Sequence, residues 1–227
     1  ANNKSMKVMT NNVSREYFNA PATRELYIEL PKEDKLPGEE DMVGRMRLCL
    51  YGTRDAALNW QNVVAEHLIS IGFQRGTAHP CVYWHPTRHV TTLVHGDDYA
   101  SSGSGKDLVW LDSELKKRFE IKTCIMGRES GDAKEYKILS RVIRVTDEGW
   151  ELEADPRHAE LIIEELGLTK AKSVVTPGEE ANNDETGDSN EELDEWETQR
   201  FRSLTARANY LSADRPDIQF TVKELCR

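Results

Sequence analysis

Apolar and polar positions alternate, then switch to helical spacing, several times along the chain, and the switches mark out its elements. Residues 24–31 (RELYIELP) alternate and predict a strand ending at Pro31. KEDKLPGEED is a polar loop around Pro-Gly, and 42–52 (MVGRMRLCLYG) predicts another strand that stops at Gly52. Ala57, Trp60, Val64, Leu68 and Ile71 then recur at spacings of three and four, the mark of one helical face, with Thr53 placed to cap the helix and Gly72 to end it. CVYW (81–84) and VTTLVH (90–95) predict strands, followed by a tight turn with Asp97 and Asp98 side by side and then YASSG. Ser104 and Asp107 have capping-box spacing for a helix from about 105 to 119 that buries Leu108, Leu111, Leu115 and Phe119.

Further on, 135–145 (EYKILSRVIRV) and 149–154 (GWELEA) predict a hairpin about TDEG. Asp155-Pro156 opens a helix with Ala159, Ile162, Ile163 and Leu166 inward, up to Gly167. Two short helices, FRSLTARANYLSA and PDIQFTVKELC, are separated at Arg215-Pro216. Strands grouped around an acidic turn, with a helix on either side in sequence, predict an α+β fold: an antiparallel sheet backed by helices, of the split-βαβ kind.

The chain has 227 residues, enough for one large domain or two small ones. Its apolar runs are only a few residues long, so no membrane span is expected. The polar start ANNKSMKVMTNN has no signal-peptide core, and a beginning at alanine suggests a segment of a longer protein. Cys49, Cys81, Cys124 and Cys226 form no CxxC pair and are expected as free thiols in a reducing compartment. His79, Cys81, His85 and His89 fit no usual zinc spacing and are expected to be scattered strand and turn residues.

A net charge of −10 argues at first against a polyanionic partner. Yet residues 178–197 hold ten acids and no Lys or Arg, and without them acids and bases balance. That stretch is expected to be an acidic, disordered linker, and the neutral body leaves nucleic-acid binding open.

Two adjacent carboxylates at the end of apolar strands need a neutralising partner. Mg²⁺ suits them, because it takes oxygen ligands and shares them with substrate phosphates, and phosphoryl-transfer sites often hold two such ions. Gly96 leaves room for a nucleic-acid end to lie on the hairpin. An isolated GDD reads first as a plain hairpin turn, so its surroundings decide.

Those surroundings resemble the reverse transcriptase of copia-type long-terminal-repeat retrotransposons. LYIELP resembles the family's YMEQP-like strand, and RMRLCLYGTRDAALNWQ is similar to its KLKKSLYGLKQAPRQWY signature. GFQRGTAHPCVYW, LVHGDDYASSG, LDSELKKRFEIK, HAELIIEELGLTKAKSVVTPG and ARANYLSADRPDIQFTVKELCR match further family segments in order from about residue 12 onward. The resemblance implies a right-hand polymerase palm (antiparallel sheet with helices on one face) plus partial fingers and thumb. Palm with partial fingers would occupy 1–150, the start of the thumb 151–177, the acidic linker 178–197, and a helical thumb or connection segment 198–227, leading toward an RNase H domain.

It also implies RNA-directed DNA synthesis on an RNA or DNA template-primer from dNTPs with two Mg²⁺ ions, within a Pol polyprotein that includes integrase and RNase H. The place of work would be a cytoplasmic virus-like particle, or the nucleus. Carried over by position, Asp97 and Asp98 are the catalytic, metal-binding acids, and His95 and Gly96 contact the primer. Tyr17 checks the sugar 2′ position, Gly52 and Asp55 belong to the nucleotide pocket, and Lys122 lies near the triphosphate.

Two positions depart from the family pattern. Asn12 stands where DVKTAFLNG begins with the aspartate that bridges both metals, which predicts impaired catalysis. Glu16, the nearest acid, would lie beside the gate on a strand. Asp55 replaces a glutamine and would repel a triphosphate. The alternative function is a non-catalytic nucleic-acid-binding remnant, with Arg45, Arg47, Arg54, Lys116, Lys117 and Arg118 as phosphate contacts. A phosphohydrolase built on the acid pair alone would leave the flanking matches unexplained.

Overall fold

The computed structural model describes residues 6–39, 41–154, 156–174 and 192–227. The chain divides into two compact units: Ala1–Ile138 with Arg144–Trp150, and Leu139–Ile143 with Glu151–Arg227.

The first unit is built on β1 (Met6–Val13), β2 (Tyr27–Glu29), β3 (Val43–Arg45), α1 (Ala56–Ser70), β4 (Gln74–Arg75), β5 (Val82–His85), β6 (Val90–His95), β7 (Asp98–Ser104), α2 (Gly105–Lys116), β8 (Ile121–Met126) and β9 (Glu135–Ile138). Six strands form one sheet in the order β4-β5-β6-β7-β1-β8. Its pairings are antiparallel. Within it, β1-α1-β6-β7-α2-β8 has the element order and interleaved strands of a split βαβ fold, as the sequence predicted.

β1 is the strand that periodicity did not reveal. Its run MKVMTNNV looks polar because its two faces serve different neighbours: Met9, Asn11 and Val13 are buried on one, whereas on the other Thr10 is buried and Asn12 only half-buried. The helices cover one face. Leu108, Leu111 and Leu115 of α2 are fully buried, and a Cβ at Gly103 of β7 would lie 3.5 Å from the Leu108 side chain. Trp60 of α1 packs edge-on to Phe119, just after α2, at 5.1 Å between centroids.

Ser104 caps α2 as expected, accepting from the Asp107 amide. Thr53 does not cap α1: Asp55 is the N-cap residue, and the Thr53 hydroxyl donates instead to the Leu50 carbonyl at 2.8 Å. Gly72 ends α1 in the left-handed region, φ 99°, with its amide on Ile69 and the Phe73 amide on Leu68, a Schellman closure.

The strands predicted at 24–31 and 42–52 are shorter than their alternation suggested. Within them β2 and β3 pair from Tyr27↔Arg45 to Glu29↔Val43, and an isolated bridge links Pro21 to Leu48. Tyr27, Ile28 and Val43 are exposed, so this alternation does not mark a buried face.

EYKILSRVIRV is two strands, β9 and β10 (Arg141–Val145), because Leu139 and Ser140 both take positive φ and turn the chain. No Gly or Asn announces that turn. With β11 (Trp150–Ala154) these form a small sheet in the order β11-β10-β9, and TDEG joins β10 to β11 as predicted.

The second unit holds α3 (Arg157–Glu165), α4 (Glu195–Ser212) and α5 (Gln219–Leu225). Its buried side chains are few: Leu211 and Val222 are covered, whereas Ile163 and Leu166, expected inward on α3, are exposed. Arg141 forks onto Asp214 at 3.0 and 3.4 Å within it. Residues 178–191 of the acidic stretch lie outside the described residues. Its last residues are a correction, for α4 begins at Glu195. Asp194 accepts from the Glu197 amide at 2.7 Å while the Glu197 side chain takes the Asp194 amide at 3.1 Å. Acids at a helix start favour the helix by satisfying its free amides and opposing its dipole.

Candidate active site

β6 and β7 pair as far as His95↔Asp98, which leaves Gly96 and Asp97 as a two-residue turn. Gly96 has φ 61° and the φ of Asp97 is not positive, the pattern of a type II′ hairpin turn. A Cβ at Gly96 would meet nothing within 4 Å, so backbone conformation rather than crowding calls for glycine here. The turn is held from two sides. The Val13 amide of β1 donates to the Asp97 carbonyl at 2.9 Å, and the Trp60 indole N–H of α1 donates to the Gly96 carbonyl at 2.8 Å. Beside it lies a cavity of about 410 Å³, walled by Trp60, Val64, Cys81, Tyr83 and Val94, which neither acid lines.

The strand registers bring the site together. His95 lies opposite Asp98, Asp98 opposite Asn12, and Asn12 opposite Lys122, across β6, β7, β1 and β8. Directly opposed residues share a face, so these four form one row at one end of the sheet. The neighbouring pairs, Asn11 with Tyr99 and with Thr123, point to the other face, where Asn11 Nδ2 reaches Thr123 Oγ1 at 3.0 Å and Asp112 of α2 at 3.4 Å. The row therefore occupies the face away from the helices.

Within the row, Asn12 Nδ2 donates to Asp97 Oδ2 at 2.8 Å and to Asp98 Oδ1 at 3.2 Å. The position expected to supply a third carboxylate supplies a donor that bridges the other two. Lys122 is exposed at the end of the row.

Glu16 and Tyr17 lie in a single 3₁₀ turn, Glu16–Asn19, and not on a strand. Arg15 starts the turn at φ 54°, and the Asn19 side chain bonds the Arg15 carbonyl at 3.2 Å. Glu16 is buried and accepts a short hydrogen bond from the Tyr51 hydroxyl. That bond, desolvation and the nearby charges of Glu16 and Asp97 push the Tyr51 phenol up to about 12. Tyr51 also packs against Tyr17, with ring centroids 4.7 Å apart. Glu16 is thus committed to Tyr51, and Tyr51 braces Tyr17.

Gly52 takes φ 86° in the turn closed by the Thr53 amide on the Leu50 carbonyl. Asp55 is not a lone charge. Arg24 donates to it at 2.8 Å, Thr23 at 3.2 Å and Asn59 at 3.3 Å. The Arg24 hydrogen bond, opposed by desolvation, holds its carboxyl down at about 2. It clasps the segment after the 3₁₀ turn to the start of α1.

Of the basic candidates, Arg45 pairs with Glu25, Lys116 with Asp112 and Lys117 with Glu114, while Arg47, Arg54 and Arg118 are exposed. His85 is a core residue, with Nε2 3.2 Å from the Ile71 carbonyl and its ring between Phe73 and Trp110. Among the described residues no group of three His, Cys, Asp or Glu could hold a metal ion. Nor is any described helix long and apolar enough to cross a membrane.

Trp60 and Tyr51 are the site residues that sequence reasoning missed. Trp60 was legible only as a core position, and both belong to the LYGTRDAALNW run, whose unusual density of aromatic and turn residues was the available signal.

A split βαβ sheet with paired acids at a hairpin tip, set beside the first strand, is a polymerase palm. The family model described as "Reverse transcriptase (RNA-dependent DNA polymerase)" matches residues 1–180, and the chain belongs to that family. Its relatives are of the copia type expected from the motifs. It is 24% identical over 169 residues to the "Retrovirus-related Pol polyprotein from transposon TNT 1-94" of Nicotiana tabacum, covering 73% of this chain and 12% of that protein. It is 28% identical over 137 residues to the "Transposon Ty1-GR3 Gag-Pol polyprotein" of Saccharomyces cerevisiae, covering 58% of this chain and 7% of that one. The chain thus spans a small part of these relatives. Apo telomerase from Candida tropicalis, truncated from its C-terminal domain, overlays with a TM-score of 0.41 at 11% identity, covering 64% of this chain and 35% of that one.

The family uses divalent metal and works on nucleic acid. The donor set here does not fit a pair of divalent ions: it offers two carboxylates and an amide nitrogen turned toward both of them.

Proposed function

We propose that this chain is the palm-centred part of a copia-type reverse transcriptase that engages an RNA or DNA template-primer and dNTP, with its nucleotidyl transfer impaired. The row His95, Asp98, Asn12, Lys122, with Asp97 in the adjoining turn, carries this reading. It sets two acids and an exposed lysine on the sheet face away from the helices, beside a turn whose backbone is fixed. The primer end would lie along His95 and Gly96. Lys122 would face the triphosphate, and Tyr17, braced by Tyr51, would lie against the sugar.

Gly52 belongs to the same pocket as a turn former. Asp55 shapes it through Arg24 and would not meet the triphosphate as an unpaired charge. Asp97 and Asp98 are the residues that would hold Mg²⁺, the ion expected in an intact member, and it would supply positive charge against the phosphates. In this chain Asn12 supports the impairment by removing the third carboxylate. The rest of a Pol polyprotein, and a cytoplasmic particle or the nucleus as the place of work, belong to the same proposal.

The Asn12 geometry also favours the second reading, a remnant that binds nucleic acid without catalysis. Primer–template binding and primer extension separate the readings. We expect binding that weakens steeply with salt, by about tenfold or more between low and physiological salt if several phosphates are contacted, and little or no extension. Processive synthesis by the unaltered chain would overturn the impairment. Binding without salt dependence would overturn a role on nucleic acid.

A further inference from the structure

We infer that the Asn12 carboxamide takes the place of a cation between Asp97 and Asp98, so that this palm holds its acid pair together without divalent metal and disfavours metal entry. The inference deepens the polymerase reading and rests on it only in taking Asp97 and Asp98 as the acid pair.

The amide nitrogen has two hydrogens, and it lies 2.8 Å from one carboxylate and 3.2 Å from the other. The reverse orientation would turn the amide oxygen onto two anions, so electrostatics selects the donor orientation. Backbone pairing fixes the position as well. Asn12 is in register with Asp98 on one side and Lys122 on the other, and the next residue, Val13, holds the Asp97 carbonyl. The positive partner that the pair needs is thus supplied by two charge-assisted hydrogen bonds from one amide.

An entering dication would have to break both bonds and rotate the amide. In return it would gain one neutral oxygen in place of a bridging carboxylate. Glu16 does not compensate, because it is buried and committed to the Tyr51 hydroxyl.

Mn²⁺ binding, measured by electron paramagnetic resonance on the purified chain without nucleic acid, tests the inference together with thermal melts in chelator and in Mn²⁺. The proteins compared are the unaltered chain, Asn12→Asp, Asn12→Ala, and Asp97→Asn/Asp98→Asn. The last defines binding elsewhere, such as on the acidic stretch.

Above that background, Asn12→Asp is expected to bind Mn²⁺ at least about tenfold more tightly than the unaltered chain. It should melt below the unaltered chain in chelator and rise on adding Mn²⁺, whereas the unaltered chain should show no Mn²⁺-dependent shift. Asn12→Ala should melt lower in chelator and gain no metal binding. Equal Mn²⁺ affinity in the unaltered chain and Asn12→Asp would overturn the inference, as would an Asn12→Ala melt matching the unaltered chain. If Asn12→Asp does not fold in either condition, the Asn12→Ala melt and the Mn²⁺ response of the unaltered chain decide the matter. Primer extension is not the readout, so gained metal binding without polymerisation would sustain this inference and count only against the polymerase reading.

Discussion

Asn11 and Asn12 are the same residue side by side on one strand, and they do opposite things. Asn11 is buried under α2, where it ties Thr123 and Asp112 into the packed face, with its own Oδ1 without a partner among the described residues. Asn12 faces away from the helices and bridges the acid pair. The same division holds for the whole sheet. The helix-covered face carries Met9, Val13 and Tyr99 against Leu108, Leu111 and Leu115, whereas the other carries His95, Asp98, Asn12 and Lys122. One face stores stability and the other is free for chemistry, because successive side chains on a strand point to opposite sides.

Paired substitutions should break or sharpen that division. Leu111→Ala, at a fully buried position, is expected to cost about 2–5 kcal/mol. Lys122→Ala, at the open end of the row, should stay within about 0.5 kcal/mol while lowering primer–template affinity. Denaturant melts and a binding titration of both variants check this, and a large stability loss in Lys122→Ala would erase the distinction between faces. Tyr99→Phe comes next. The Tyr99 hydroxyl is fully buried on the helix-covered face and has no hydrogen-bond partner among the described residues, and burial keeps it protonated. Removing it should stabilise the protein by about 1 kcal/mol, a gain that a thermal melt would register and that a loss would refute.

The smallest effect belongs to Tyr51→Phe. Because the Tyr51 phenol is raised from 10.0 to about 12, its bond to Glu16 is fully present below 10 and is lost as pH rises through about 12. Alkaline absorbance titration should therefore lose one late-titrating phenol in the variant. Loss instead of a phenol that titrates near the ordinary value of 10.0 would mean that Tyr51 is not bonded to Glu16.

Much of this was legible in order along the chain. The Ser104 cap, the Gly72 stop and the leucines of α2 follow from local rules, since capping and helical spacing act within a few residues. The acid turn at Asp97 and Asp98 was equally plain, as was the departure at Asn12, because both are matters of residue identity at a motif position.

What sequence alone could not reveal depends on which strand lies beside which. β1 escaped notice because a central strand that serves a core on one face and a polar site on the other shows no simple alternation. Asp55 read as a repulsive charge until the fold brought Arg24 to it, and Trp60 read as mere core until its indole met the Gly96 carbonyl. The sequence by itself determined the class of the protein and the identity of its acids. Only the tertiary structure decided that Asn12 turns its amide between them, because strand register and the mutual repulsion of two carboxylates are long-range effects that no local pattern records.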